Sequence, residues 1–237
     1  MMSNQSKHQE AFSQVRVLQD SVELPSGIRL NGISPAFLAR TVFDRVFAAA
    51  ALLFFAPVML CICALLYLRE GGPVFFAQPR VGKGGRRFNC LKFRTMVPDA
   101  AERLEQILAS DPVARAEWEV SRKLTNDPRV SCLGHFLRKS SLDELPQFIN
   151  VLRGDMAIVG PRPIVSEELP LYGDRVSAYL SVRPGITGLW QVSGRSDTTF
   201  PERVEMDARY VGSRSFAMDL WIILRTVGVL ISQRGAR

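Results

Sequence analysis

Residues 46–68 read VFAAAALLFFAPVMLCICALLYL, a stretch without a single charged side chain. A helix needs about 20 apolar residues to cross the hydrocarbon core of a bilayer, so this run is long enough to enter a membrane. A buried core helix is the alternative, but such helices usually keep a polar stripe. With its flanks, the stretch predicts a membrane-embedded helix over residues 36–70.

A proline and the flanking charges bear on how this helix meets the membrane. Pro57 removes a backbone donor and clashes with the preceding turn, so a kink or break is expected at Ala56-Pro57. Basic residues flank both ends of the run: Arg40 and Arg45 before it, Arg69 and Arg80 after it. A single span should show an asymmetric excess of Lys and Arg, so the pattern favours a re-entrant helix that returns to the cytoplasmic face. A kinked span is the alternative.

The amino-acid composition only partly narrows the possible binding partners and types of site. The 237 residues carry a net charge of +7 and a sequence pI of about 9.6. This excess suits nucleic acid, anionic lipid or phosphorylated substrates as partners. The four cysteines include no CxxC pair, which argues against a zinc site or a disulfide framework. Residues 1–35 are polar, lack the apolar core of a signal peptide and are expected to form a flexible tail.

The rest of the chain predicts a mixture of short strands and helices. Two β-prone runs around the glycine-rich turn at residues 82–85 indicate a β-hairpin. Helices are expected over residues 100–123 and 140–152, and a turn over residues 184–188. Residues 216–232 are apolar but interrupted by two charges, which indicates an interfacial helix. The predicted fold is α+β: a monotopic membrane protein with one re-entrant helix, a small hairpin and several amphipathic helices.

Asp143 and Glu144 form the strongest candidate for chemistry. Adjacent carboxylates at a helix start can work on phosphates, one as a covalent nucleophile and the other holding a divalent cation. However, Ser141 and Glu144 also have the spacing of a capping box, in which both side chains bond free amides of the first turn. Spacing alone favours the capping box, although Pro146 makes the position of the cap uncertain.

Basic residues surround this acidic pair in the sequence. Lys92 interrupts an otherwise apolar strand, and Arg162 lies between Pro161 and Pro163, which would hold its backbone extended. Arginine binds phosphate oxygens in a bidentate manner, whereas lysine acts as a point charge. The candidate substrate-binding residues are Lys92, Arg94, Arg138, Pro161, Arg162 and Pro163. Solvated surface charge is the alternative for each cation.

Six segments together resemble the bacterial sugar transferases, the monotopic polyprenyl-phosphate phosphoglycosyl transferases. They are GPVFFAQPRVGKGGRRF, LKFRTM, LTNDPRV, GHFLRKSSLDELPQFINVLRGDM, VGPRP and RPGITGLWQVSGR, in that order. The resemblance extends from about Arg40 to the C-terminus and is closest to the short exopolysaccharide-initiating members. It divides the chain into a tail (1–35), a re-entrant helix (36–70), a catalytic core (71–181) and a C-terminal extension with an interfacial helix (182–237).

The resemblance implies a specific reaction. Asp143 would attack the β-phosphate of a UDP-sugar, expel UMP and become a sugar-phosphoryl aspartate. Undecaprenyl phosphate would then take the sugar phosphate and give undecaprenyl diphosphate sugar. Glu144 would act with Asp143 in binding Mg²⁺, and the basic residues would bind phosphate. The family carries a serine before the membrane proline, where this chain has Ala56, so the shape of the bend is less secure.

The resemblance also implies the surroundings of the reaction. The expected location is the cytoplasmic face of the bacterial inner membrane, with membrane lipids as partners and a homodimer as a possible assembly. The sugar is open, with galactose or glucose suggested by analogy alone. Three other functions compete: a non-catalytic lipid-binding scaffold, a transferase that moves the sugar without its phosphate, and a nucleic-acid-binding protein. The last is disfavoured by the apolar run and by the lack of a nucleic-acid-binding motif.

Overall fold

The computed structural model describes residues 35–121, 124–194 and 198–232, so the predicted tail before Pro35 lies outside the described residues. The chain divides into two units, residues 1–39 and 40–237, and the contacts below belong to the second. The helices are α1 (Pro35–Glu70), α2 (Ala100–Ser110), α3 (Pro112–Ser121), α4 (Cys132–Ser140), α5 (Gln147–Arg153), α6 (Val176–Ser181), α7 (Leu189–Ser193), α8 (Phe200–Ser213) and α9 (Phe216–Ser232). The strands are β1 (Phe75–Val81), β2 (Arg87–Phe93), β3 (Ala157–Val159) and β4 (Gly185–Thr187), with 3-10 turns at Lys83–Gly85, Leu142–Glu144 and Ser166–Arg175.

The apolar helix α1 is helical on both sides of Pro57, without an interruption. A return to the same membrane face would therefore need a bend within a continuous helix, and it stays a prediction. Only 17% of the most apolar window of α1 is buried, so most of this helix is not packed against the described protein. The outward apolar side chains include Val46, Leu53, Phe54, Leu60, Tyr67 and Leu68.

The inner face of α1 packs against the globular body along much of its length. Ala48 is fully buried in a cluster with Ile158 and Ile222. Near the other end, Leu66 is fully buried in a second cluster that contains Leu137. At 1.5 Å per residue, these two contacts lie roughly 27 Å apart along the helix. The body therefore covers α1 over a length close to the thickness of a bilayer core.

The predicted hairpin is confirmed. Strands β1 and β2 pair antiparallel, with Phe76 opposite Lys92 and Gln78 opposite Cys90. Phe88 and Cys90 are buried and Lys92 is half-buried on the same face of β2, as their alternation predicts. This face of the hairpin lies towards the candidate site.

Two predicted helices are each divided in the structure. The helix expected over residues 100–123 ends at Ser110, and a second helix begins at Pro112. Asp111 starts the second helix, because its Oδ1 accepts hydrogen bonds from the amides of Val113 (2.8 Å) and Ala114 (3.1 Å). The helix expected over residues 140–152 is also wrong: α4 ends at Ser140, a 3-10 turn follows, and α5 begins at Gln147.

The segment expected to be a turn over residues 184–188 contains strand β4, which pairs parallel with β3. The backbones approach so closely that a Cβ at Gly185 would lie 2.1 Å from the amide nitrogen of Gly160. Only glycine fits there. Since β4 pairs with β3 and Ile222 of α9 shares a core with β3, residues after Val182 belong to the same compact unit. The division between catalytic core and C-terminal extension at Val182 therefore lies within one unit and stays a prediction.

Helix α9 has the features of the predicted interfacial helix. Asp219, one of the two interrupting charges, is buried and accepts a hydrogen bond from the Tyr210 hydroxyl at 2.7 Å. The guanidinium of Arg225, the other charge, lies 5.2 Å from the centre of the Trp221 ring. The outward face of α9 is apolar and comprises Leu220, Trp221, Leu224, Val227 and Leu230. Helices α1 and α9 therefore both expose apolar surface.

Candidate active site

Asp143 and Glu144 are presented by a tight reversal between α4 and α5. Ser141 has a left-handed backbone (φ 56°), which is uncommon for a residue other than glycine. Its amide bonds the carbonyls of Leu137 and Arg138, so Ser141 closes α4 and its side chain does not cap the next turn. The capping-box interpretation of Ser141 and Glu144 is therefore wrong, and both carboxylates are available for other contacts.

Lys92 connects β2 to this acidic pair. Its Nζ donates a hydrogen bond to Glu144 Oε1 at 2.6 Å and lies 3.9 Å from Asp143 Oδ2. The Asp143 side chain is 11% exposed, compared with 24% for Glu144. One ammonium group thus balances two carboxylates inside a partly desolvated turn.

The two carboxylates have opposite acid strengths. Burial raises the pKa of Asp143 to about 6, and the nearby Lys92 ammonium only partly offsets this rise. Burial also acts to raise the pKa of Glu144, but Lys92 and Arg162 outweigh it and lower that pKa to about 2. Glu144 is therefore a fixed negative charge, whereas Asp143 is the more basic carboxylate of the pair.

Arg138 reaches the site from the last turn of α4. Its Nε donates a hydrogen bond to Thr95 Oγ1 at 2.9 Å, and its charge acts on Asp143. Helix α4 can lie this close to the end of the hairpin because residue 134 is glycine: a Cβ there would lie 2.0 Å from the Thr95 carbonyl oxygen. The close contact at Gly134 therefore positions Arg138.

Arg162 lies between two buried prolines that are tied to neighbouring strands. The carbonyl of Pro161 accepts from the Gly185 amide at 2.8 Å, and the carbonyl of Pro163 accepts from Arg80 at 3.1 Å. The Arg162 guanidinium lies 5.9 Å from the centre of the Trp190 ring. Among the described residues it forms no hydrogen bond or ion pair, so its donors are available to an anion.

Some of these groups line one cleft, together with side chains that the sequence analysis did not select. Of the predicted site residues, Lys92, Glu144, Arg162 and Pro163 line the cleft, whereas Asp143, Arg138 and Pro161 do not. The other lining residues are Arg80, Cys90, Gln147, Ile186 and Gln191. Arg80 was noted only as a flanking charge of the apolar run. Its position two residues from Gln78, on the site face of the hairpin, is the signal that could have identified it.

Arg94 does not line this cleft. It is 6% exposed, donates a hydrogen bond to the Gly71 carbonyl and lies 3.7 Å from Glu70. A Cβ at Gly72 would lie 2.8 Å from its Nη1. These contacts hold the end of α1 against β2 and support a structural role. Nε and Nη1 of Arg94 are buried without a partner among the described residues, so the predicted phosphate contact stays a prediction.

The acidic pair suits a magnesium ion that is shared with a substrate. Within the described residues, no three His, Cys, Asp or Glu side chains converge as a metal site. However, Mg²⁺ is usually held by one or two carboxylates together with substrate phosphates and water. Glu144 is ionised and Asp143 is adjacent to it, which supplies the two carboxylates. These two carboxylates fit a magnesium site whose remaining ligands would be phosphate oxygens.

Sequence comparison identifies the family to which this arrangement belongs. The profile described as bacterial sugar transferase matches residues 36–233. The chain belongs to the bacterial sugar transferase family. The predicted resemblance is thereby confirmed, and the match of this sugar transferase to its family includes α1, the acidic pair and the segment after Val182.

Curated relatives of this sugar transferase include both short and long proteins. It is 49% identical over 203 residues to the undecaprenyl-phosphate galactose phosphotransferase of Salmonella typhimurium and 48% identical over 203 residues to the UDP-galactose-lipid carrier transferase of Erwinia amylovora. Each match covers 86% of this chain and 42% of the relative. It is also 47% identical over 199 residues to the exopolysaccharide production protein ExoY of Rhizobium meliloti, covering 84% of this chain and 88% of the relative. The chain thus spans less than half of the first two relatives.

Proposed function

We propose that this sugar transferase moves a sugar 1-phosphate from a UDP-sugar to undecaprenyl phosphate, through a covalent intermediate on Asp143. The observation that carries the proposal is the acidic pair: Asp143, with a raised pKa, lies next to the ionised Glu144, and Lys92 contacts both. The names of the relatives agree with transfer between a nucleotide sugar and a lipid carrier.

In the first step, an Asp143 oxygen attacks the β-phosphorus of the donor. The bond between that phosphorus and the bridging oxygen breaks, and UMP leaves with the electron pair. The product is an acyl phosphate between Asp143 and the sugar 1-phosphate. A carboxylate with a raised pKa is a stronger nucleophile than an ordinary aspartate, so the burial of Asp143 favours this attack.

The surrounding cations stabilise charge on the transferring phosphoryl group. Among the described residues, Arg162 has no hydrogen-bond or ion-pair partner, so its donors could contact phosphate in a bidentate manner. The ammonium of Lys92 lies 3.9 Å from Asp143 Oδ2. Arg138, fixed on Thr95, adds positive charge beside Asp143. Such preorganised cations act where charge develops in the transition state, which is usually the largest contribution to catalysis.

In the second step, a phosphate oxygen of undecaprenyl phosphate attacks the same phosphorus. The acyl phosphate bond breaks, Asp143 is released as a carboxylate, and undecaprenyl diphosphate sugar forms. Since donor and acceptor use one nucleophile in turn, the kinetics are expected to be ping-pong. UMP must leave the site before the lipid phosphate can reach the sugar-phosphoryl group on Asp143.

Asp143 and Glu144 would hold the magnesium ion. When bound, Mg²⁺ would neutralise diphosphate charge and orient the donor phosphates. Glu144 suits this role because its pKa of about 2 keeps it ionised over the whole working range. Lys92, which is bonded to Glu144, keeps that carboxylate oriented.

The packing of α1 supports monotopic placement, and the basic residues at both ends of its apolar run favour the cytoplasmic face of the inner membrane. The polar body covers about 27 Å of the helix between Ala48 and Leu66. A perpendicular span would therefore bury this body, including Asp143 and Lys92, in hydrocarbon at a large energetic cost. An oblique or bent insertion, with the apolar face of α9 beside it, leaves the cleft at the level of the lipid phosphates.

Product analysis tests this function directly. Purified protein in detergent is incubated with a panel of UDP-sugars, undecaprenyl phosphate and Mg²⁺. The proposal requires release of UMP and formation of a lipid diphosphate sugar with at least one donor. Release of UDP would show transfer of the sugar without its phosphate, and association with lipid without turnover of any donor would support the scaffold.

The pH dependence of the first step should report Asp143. Below pH 6, release of UMP in the absence of lipid is expected to rise about tenfold per pH unit, because only the carboxylate is nucleophilic and its pKa is about 6. Above that pH the rate should level off. Single-turnover UMP release between pH 4.5 and 8 measures this limb. A limb centred near pH 4 would show that burial does not raise the pKa of Asp143.

Removal of divalent cations should strongly reduce the same step. Because two carboxylates and a diphosphate would otherwise repel one another, EDTA is expected to lower UMP release by about 10²-fold or more. Addition of excess MgCl₂ should restore it. Equal rates with and without EDTA, after exhaustive dialysis against the chelator, would rule out the magnesium site.

Placement of α1 can be tested with single cysteines on either side of the apolar run. Val42 precedes the run and Lys83 follows it, and both residues are exposed. In a variant whose native cysteines are replaced, Val42→Cys and Lys83→Cys should both resist a membrane-impermeant maleimide in intact spheroplasts. Both should react in inverted vesicles. Labelling of only one of them in spheroplasts would show that α1 spans the membrane.

A further inference from the structure

Gln191 presents a hydrogen-bond acceptor in the cleft that the proposed reaction has not used. It lies in α7 and lines the cleft together with Glu144, Arg80 and Arg162. Its Nε2 donates to the Ile186 carbonyl oxygen at 3.2 Å. Since a carbonyl oxygen only accepts, this bond fixes which end of the amide faces Ile186. The opposite end, Oε1, is buried and has no partner among the described residues.

An unpaired buried acceptor is costly, which indicates that a ligand could satisfy it. The backbone next to Oε1 is Gly188, where a Cβ would lie 3.1 Å from that oxygen. Glycine is required at this position, because the Gly160 carbonyl oxygen would lie 2.4 Å from the same Cβ. Gln191 is therefore held by one end of its amide, and the other end is left for an incoming donor group.

We propose that Gln191 Oε1 accepts a hydrogen bond from an O–H or N–H group of the nucleotide-sugar donor and thereby selects and orients that substrate. This inference rests on the proposed function. The ionised diphosphate has no hydrogen to donate, so the partner must be a sugar or ribose hydroxyl or the imide N–H of the base. The acceptor lipid offers an isoprenoid chain and a phosphate that, once ionised, has no donor. Gln191 therefore binds the donor and not the lipid; a contact to the nucleoside ends when UMP leaves, whereas a contact to the sugar persists in the covalent intermediate.

The test combines variants with donor analogues that each lack one donor group. Gln191→Met keeps the length of the side chain and removes the acceptor, and Gln191→Glu keeps an acceptor. Analogues comprise donors with single deoxy positions on the sugar or the ribose and a donor methylated at the imide nitrogen. Gln106→Met, on the exposed face of α2, is the matched control. Kinetic constants for donor and lipid are measured separately, with thermal unfolding of each variant.

Gln191→Met is expected to lower kcat/KM for the parent donor by about ten- to hundredfold. When the sensitive group lies on the nucleoside, which leaves with UMP, kcat/KM for undecaprenyl phosphate should be unchanged. One analogue should lose a similar factor with the wild-type protein and nothing further with Gln191→Met, because both changes remove the same bond. Gln191→Glu should still discriminate against that analogue. The position of the missing group in that analogue shows whether Gln191 binds the sugar or the nucleoside.

The inference would be overturned if, for every analogue, the losses in kcat/KM from the analogue and from Gln191→Met were additive. It would also be overturned if Gln191→Met left the kinetic constants for the donor unchanged, because water would then satisfy the oxygen. If Gln191→Met does not fold, Gln191→Ala, which also removes the acceptor, takes its place in the comparison with the analogues. Wild-type protein that turns over no donor would instead contradict the proposed function itself.

Discussion

Asp143→Asn is expected to lower turnover by on the order of 10⁴-fold or more, since the amide cannot form the acyl phosphate. The fold should tolerate the change. Because burial raises the pKa of Asp143 to about 6, the carboxyl group stabilises the folded state below pH 4, and this contribution is lost as the pH rises through 6. At pH 7.5 the neutral asparagine should therefore leave Tm equal or slightly higher. UMP release and thermal unfolding on one preparation measure both effects.

Asp174→Asn provides the control, because Asp174 is exposed and does not line the cleft. Its turnover should match that of the wild type. Mass spectrometry of quenched wild-type protein should show a sugar-phosphate adduct on the peptide that contains Asp143, and Asp143→Asn should lack it. Turnover by Asp143→Asn within tenfold of the wild type would remove Asp143 from the nucleophilic role.

Lys92→Met should have the second largest effect, with a loss of about 10²- to 10³-fold in the first step. Its ammonium is the group within 4 Å of both carboxylates. Since Lys92 lowers the pKa of Asp143, its removal should also move the acid limb of the UMP-release profile to higher pH. Glu144 would lose its hydrogen-bonded cation, so the free energy of unfolding should fall by about 1–3 kcal/mol.

Lys139→Met is the matched control, because Lys139 is exposed and forms no salt bridge among the described residues. Its profile should overlay that of the wild type. Lys92→Arg should keep part of the rate, since it preserves charge but not the compact ammonium geometry. If Lys92→Met lowered the rate but left the acid limb at pH 6, Lys92 would not act on the ionisation of Asp143.

The sequence predicted the parts of the site that depend on residue type. Glu144, the lysine in an apolar strand and the arginine between prolines line one cleft. Asp143 does not line it, but its Oδ2 lies 3.9 Å from the ammonium of Lys92, which does. Arg94 could not be separated from them by pattern, because a buried arginine that holds a helix end has the same sequence appearance as a phosphate ligand. Only tertiary packing distinguishes the two.

Local conformation explains most of the differences in the fold. A new helix begins at Asp111-Pro112, but the helical spacing of apolar residues continues across this point and so predicted a single helix. Ser141 adopts a left-handed conformation that residue propensity disfavours, so α4 and α5 were expected to be one helix. Strands β3 and β4 are each three residues long, and they form because glycines let two distant backbones meet. No short-range pattern contains that information.

Helix α1 packs directly behind the segment that carries the acidic pair. Leu66 of α1 and Leu145, which follows the acidic pair, belong to one buried cluster. Cutting the helix away to obtain a soluble fragment would thus remove the support of the reaction centre and leave an apolar gap behind Asp143. If the bilayer tilted or bent α1, the displacement of Leu66 would shift Leu145 and with it the neighbouring acidic pair. If α1 is embedded in lipid as proposed, the attachment to the membrane and the position of the acidic pair depend on the same packing contacts.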